Sequence, residues 1–362
     1  SASQGAIGMF FEASAQSVIA MSDGGMFSVS GNSLTTRSQT RAMGVAFTTD
    51  VVFQLDHAGD TVQLSDNIFE THAAAGAARS MEFSSSSIRG GLFEISQNAI
   101  NCSGDSAVGV HYVGAVTLDG GAKRRTTDNT MAISALNDTA TAASAIRHGS
   151  SSLLLVKPTA SDVFEFNTVD VSGGAAPSAL HFYRSTGLTI NGASISYSHN
   201  AISVGSNTPG GASAQCAGFL FSSVPIQVTH GVFAFDNNTL DVDEQGTPAV
   251  AFFATNFSDS SHTIALVNSS IEFSKVILNV AGAGSASILR LNDSPGSKLS
   301  LQNGSQVLLT HVTMSASRRY PHIVRCRTQL HPAPPQQQRQ RLLGSVRHER
   351  SGPQPPMGRV AQ

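Results

Sequence analysis

LTINGASISYSHNAISV (188–204) and IQVTHGVFAFDNNTLDV (226–242) share one pattern at a fixed offset of 38 residues. In the first stretch the apolar pairs are Leu188-Ile190, Ile195-Tyr197 and Ile202-Val204. In the second they are Ile226-Val228, Phe233-Phe235 and Leu240-Val242. Residues two apart lie on one face of a strand, so each pair reads as a short strand with two inward side chains. Within each set the pairs advance by seven residues. Asn200 and Asn238 fall between the second and third pairs, where an Asn suits positive φ and a sharp turn. The pattern describes a coil of three short strands with a corner after each. Such a coil buries its inward face and satisfies its strand edges only when stacked on like coils.

The same frame runs outward along the chain as apolar, any, apolar, two residues, Asn, any, apolar. It appears as Phe27-Val29-Asn32-Leu34, Val62-Leu64-Asn67-Phe69 and Phe93-Ile95-Asn98-Ile100. In Ile264-Leu266-Ser269-Ile271 Asn268 moves one place back, and around Leu299-Leu301 the centre is Gly304. Copies near Asn129 and Asn167 fit poorly. These positions predict a turn ladder of Asn32, Asn67, Asn98, Asn200, Asn238, Asn268 and Gly304. The predicted fold is all-β: a right-handed parallel β-helix of three-strand coils, with a period of about 30–38 residues over residues 1–316. Stretches such as 73–78, 139–145, 173–176 and 281–287 read as loops leaving the rod. A β-sandwich of antiparallel strands would show turn signals but no match that keeps register over 38 residues.

Composition agrees. Charged residues make up 13% and Lys occurs only four times, against 40% apolar residues. Few charges and many small polar and β-forming residues favour sheet over long helices. Cys102, Cys216 and Cys326 are too few and too widely spaced for a disulfide framework or a zinc site. No run of about 18 apolar residues is present, so no membrane span is expected within the sequence. An anchor or signal is expected only in parts outside it, and the chain reads as a fragment of a larger ectodomain.

After Ser317 the character changes. Residues 317–362 hold nine Arg, no Lys and one acid, Glu349, giving +8 and leaving −10 on residues 1–316. With seven Pro and a Gln run at 336–338, this segment is expected to be a disordered Arg/Pro/Gln-rich tail. Nucleic acid is not an expected partner, because a binding arm interleaves Lys and aromatics with its Arg.

FSVSGNSL (27–34), FEISQNAI (93–100), FAFDNNTL (233–240) and ALVNSSIEF (265–273) resemble the repeats of the kinetoplastid dispersed gene family protein one. The resemblance covers about residues 5–316. It implies a pectin-lyase-like β-helix in a large, membrane-anchored surface glycoprotein with an adhesive role. The chain departs from that family in lacking a spanning end and in its unmatched tail.

Parallel β-helices also include polysaccharide hydrolases and lyases, which gather several acids with a His and a basic residue. The best such cluster is Asp236, Asp241 and Asp243, with Glu244 following and His230 upstream. Asp241 and Asp243 alternate with Leu240 and Val242, so they are expected to face solvent, and no Arg or Lys lies near in sequence. No catalytic residue is therefore assigned, and the alternative of a carbohydrate-active enzyme rests on that cluster alone. No Gly-Gly-x-Gly-x-Asp calcium repeat, helical His pair or Cys-His pair is present, so no metal or other cofactor is expected. Among the N-glycosylation sequons, Asn101, Asn137 and Asn256 are the expected acceptors, with Asn292 weakened by Pro295. Asn237, Asn268 and Asn303 lie at turns, where a glycan is expected to clash with the next coil. The reading is a non-enzymatic cell-surface or extracellular protein that binds ligands or adheres, its partners being extracellular glycans or host and matrix proteins.

Overall fold

The computed structural model describes residues 5–11, 17–47, 51–136, 143–149, 152–174, 176–183, 187–205, 216–244, 249–255, 263–282, 286–291, 298–317 and 346–347. Among these there is no helix, and every strand pairing is parallel. From Ala6–Phe11 to Val312–Ser317 each strand pairs with the fourth strand before and after it in the chain, so the coils stack into four sheets. Sheet A begins with Ala6–Phe11, sheet B with Ser17–Met21, sheet C with Met26–Ser30 and sheet D with Ser33–Ser38. Sheets A, B and C carry nine strands each. Sheet D carries ten, the tenth being Val346–Arg347 beside Val312 and Thr313. The rest of the basic tail lies outside the described residues.

The protein is thus a parallel β-helix, as its repeat predicts, and the 38-residue offset is one coil. Leu188 pairs with Ile226, Ile195 with Phe233 and Ile202 with Leu240. The expected three strands per coil must be corrected to four. The three apolar pairs are sheets B, C and D, and the missing strand is sheet A, for example Ala217–Ser222. Every residue of that strand is buried, so it carries no in-out alternation for a period of two to detect.

Inward side chains stack coil on coil. In sheet A the rings of Phe47, Phe83, Tyr112, His148, Phe182 and Phe221 form one column, with successive centroids 4.3–5.4 Å apart. Such offset stacks add attraction beyond the burial of each ring. Small residues elsewhere in sheet A make room for side chains from sheet D. A Cβ on Gly218 would lie 2.1 Å from Leu240 Cδ2, and one on Gly44 would lie 2.9 Å from Phe69 Cδ1.

The corner between sheets C and D explains the recurring Asn, with a change of role. The left-handed residue is the one before it: Asp66, Gln97, Asp128, Phe166, His199 and Asn237 have φ of 51–57°. The Asn that follows turns its side chain inward and links the coils. Asn67 Oδ1 accepts from the backbone N–H and the Nδ2 of Asn32, at 3.1 and 3.0 Å. Asn67 in turn donates both its N–H and its Nδ2 to Asn98 Oδ1, and Nδ2 also donates to Val29 O. This chain runs without a break through Asn32, Asn67, Asn98, Asn129, Asn167, Asn200 and Asn238. Asn129 and Asn167, which fit the sequence frame poorly, are full members. Asn268 and Gly304 are not. Both sit at positive φ at the corner between sheets B and C, and the two places that continue the Asn ladder hold Val276 and Val312. The apolar frame repeats at both corners, which is why the two were merged in sequence.

Candidate functional site

The acids singled out in the sequence do not converge. His230 is exposed at a corner between sheets B and C, and Asp236 ends a strand of sheet C between Ser198 and Ser274. Asp241 and Asp243 point outward from sheet D, as their alternation with Leu240 and Val242 predicts. In register with Asp241 stand Ser203 and Asn279, whose Nδ2 donates to Asp241 Oδ1 at 2.7 Å. Gly205 and Ala281 flank Asp243. No second carboxylate occupies a neighbouring coil at either position. A shallow depression beside His230 is lined by Gly231, Asn268, Ser269, Gly304 and Gln306, and it holds no acid.

The sequons divide differently from expectation. Asn101 is exposed on the outer face of sheet D. Asn137 and Asn256 lie outside the described residues. Asn237, Asn268 and Asn303 are exposed at left-handed corner positions, so their side chains point to solvent and away from the next coil.

Two clusters escaped the sequence reading. The first is inside the coil. Arg124 and Asp162 are buried neighbours in sheet C, at 5% and 3% exposure, joined by two 2.7 Å hydrogen bonds from Nε and Nη2. Tyr197 donates to Asp162 Oδ2 at 3.3 Å, and the Arg124 guanidinium lies 4.8 Å from the centre of the Tyr112 ring. Burial alone would lower Arg124, but Asp162 more than offsets it and holds the guanidinium charged. Burial pushes Tyr112 up to about 12 and lowers His148 well below its ordinary value, with Arg124 adding to the latter. Both His148 nitrogens, the Tyr112 hydroxyl and Arg124 Nη1 are buried without a hydrogen-bond partner among the described residues. The pair was missed because Arg124 and Asp162 lie 38 residues apart in repeats that fit the frame poorly.

The second cluster is on the outer face of sheet A, where register aligns Glu82, His111, Arg147 and His181 on four successive strands. Glu82 bonds Arg79, accepts from Arg41 Nη2 at 3.4 Å and lies 3.1 Å from His111 Nδ1. Burial opposes its charge, but His111 and Arg79 win and hold the carboxyl below its usual range. Burial also lowers His111 despite Glu82, so the imidazole is neutral and donates from Nδ1. His181 Nε2 lies 3.1 Å from Ser222 Oγ, and the Arg147 guanidinium sits 4.6 Å over the Tyr183 ring. No single segment carries these residues. Only a repeat register that includes sheet A could have brought them together on paper.

Chemically, Glu82 is occupied by three donors and presents no idle base, and Asp162 is likewise held by Arg124 and Tyr197. Burial pushes the Cys102 thiol up to about 12, so it is not poised as a nucleophile. Among the described residues no group of three His, Cys, Asp or Glu side chains has metal-binding geometry, and no helix is long and apolar enough to cross a membrane. Compared with family models, curated proteins and solved structures, the chain matches none.

Proposed function

We propose that this protein is a non-enzymatic β-helix scaffold of a cell surface or extracellular space. It binds extended ligands, extracellular glycans or host and matrix proteins, along its outer sheet faces. The observation that carries this reading is the character of sheet D. Its outward column from Asp170 through Ser203 and Asp241 to Asn279 steps by one strand per residue. Strand neighbours are about 4.8 Å apart, so these side chains form a regular row of hydrogen-bonding groups in which the carboxylates Asp170 and Asp241 alternate with the neutral Ser203 and Asn279. A long row of this kind suits a repeating polymer better than a compact substrate. The dispersed acids and the occupied Glu82 weigh against catalysis. The exposed sequons at Asn101, Asn237, Asn268 and Asn303 are compatible with a glycoprotein.

The test is a glycan array and a matrix-protein panel probed with the whole chain, beside the double variant Asp170→Lys/Asp241→Lys. Binding by the parent and its loss in the variant would uphold the reading. Release of reducing or unsaturated ends from any polysaccharide on the array would replace it with a carbohydrate-active enzyme.

A further inference from the structure

Arg147, on the outer face of sheet A, is a largely buried cation with no acid beside it among the described residues. Among the described residues every salt-bridged carboxylate is paired with another cation, and Glu82, the acid nearest in register, already serves Arg41, Arg79 and His111. Arg147 Nε is shielded from solvent and has no hydrogen-bond partner among the described residues. Its neighbour in register, His181, is 1% exposed, and its Nδ1 is also unpartnered. An arginine does not shed its proton to escape burial, and an uncompensated buried guanidinium is strongly unfavourable. The usual resolution is an anion.

The surroundings shape a site for one. The Tyr183 ring backs the guanidinium at 4.6 Å and holds its plane, so the fork of N–H donors is preset. Ser222 Oγ lies 3.1 Å from His181 Nε2, and in the tautomer where the hydroxyl donates, Nδ1–H is left as a donor. Arg79 on the same face is ion-paired with Glu82, so Arg147 remains the cation left to an outside anion. Arg147 and Tyr183 are largely buried but not sealed, which leaves a route in. We infer that Arg147 and His181 form a binding site for a small oxyanion, the carboxylate or sulfate group of a ligand, gripped by the guanidinium fork and the His181 N–H. A planar fork against two oxygens is the geometry that favours carboxylate and sulfate over halide. The inference does not depend on what the outer face of sheet D binds.

The whole chain, labelled with 15N-arginine, would be titrated with sodium sulfate, sodium acetate and sodium glucuronate, at ionic strength held constant with sodium chloride. The Nε–Hε signal of Arg147 is assigned by its absence from Arg147→Lys. The expected result is a saturable shift of that signal with at least one of the three anions. Arg147→Lys, which keeps the charge and loses the fork, should bind the same anion at least tenfold more weakly by thermal shift. Saturation by sulfate or acetate identifies a free-ion site. Saturation by glucuronate alone identifies the carboxylate of a sugar acid. Movement of all arginine signals together without saturation, or an unmoved Arg147 signal with all three anions, would overturn the inference, and the first of these outcomes needs no variant.

Discussion

Asn129 sits in the middle of the Asn ladder, and its removal tests whether the ladder holds the coils in register. Its Oδ1 accepts from the N–H and the Nδ2 of Asn98, both at 3.0 Å. Its Nδ2 reaches Ile95 O at 3.0 Å and Asn167 Oδ1 at 3.0 Å. All of these groups are buried, Asn129 itself at 1% exposure. Asn129→Ala orphans the buried Asn98 N–H, takes the acceptor from Asn98 Nδ2, and takes a donor from Asn167 Oδ1 and from the Ile95 and Thr127 carbonyls. A buried donor or acceptor left unmade costs about 1–3 kcal/mol, so the orphaned Asn98 N–H and the unpaired Asn98 and Asn167 amides together predict a loss of about 3 kcal/mol. Position in the ladder should grade the effect. Asn32, at the end, only donates, to Asn67 Oδ1 and to Ser30 O at the partly exposed rim, so Asn32→Ala should lose about 1 kcal/mol or less. Asn238 has an Asn on one side and Val276 on the other, so Asn238→Val should fall between the two. Urea denaturation followed by circular dichroism measures all three. Equal losses at the three positions, or a loss below about 0.5 kcal/mol for Asn129→Ala, would refute the ladder as a cooperative element, because that is the range of ordinary surface changes.

His148 and His181 are held well below the ordinary imidazole value, chiefly by burial, with Arg124 and Arg147 respectively adding to it. Above pH of about 6.5 both states are neutral and neither residue affects stability. As pH falls below about 6.5 the unfolded chain takes up protons that the native chain refuses, so stability should drop by up to about 1.4 kcal/mol per pH unit for each His. His148→Phe, which continues the ring column, should remove one share of that slope and be neutral or stabilising at pH 7, as thermal melts across pH 5–8 would read. Asp162→Leu alone leaves Arg124 buried and uncompensated and should lose about 3–5 kcal/mol, whereas Arg124→Met/Asp162→Leu should recover most of it. Chemical denaturation of the two variants checks this, and a double variant as unstable as the single one would contradict the account. Phe166 is 51% exposed and holds φ of 57°, a conformation that favours Asn over a bulky ring. Phe166→Asn should therefore raise stability by about 0.5–1 kcal/mol in the same assay.

The apolar pairs two residues apart and the 38-residue match between 188–204 and 226–242 determined by themselves that the chain winds into stacked parallel coils. In-out alternation is local, written wherever one face is buried and the other is wet. The outward direction of Asp241 and Asp243 was legible for the same reason. Sheet A was not legible, because strands such as Ala217–Ser222 are buried throughout and carry no alternation. Nor was the ladder's true membership, since an Asn that caps the next coil and an Asn at positive φ look alike until the register is known. The column of Glu82, His111, Arg147 and His181 and the Arg124–Asp162 pair depend on residues about 30–40 positions apart meeting across a single strand spacing. Loops of unequal length between coils set that meeting, and only the tertiary structure counts them.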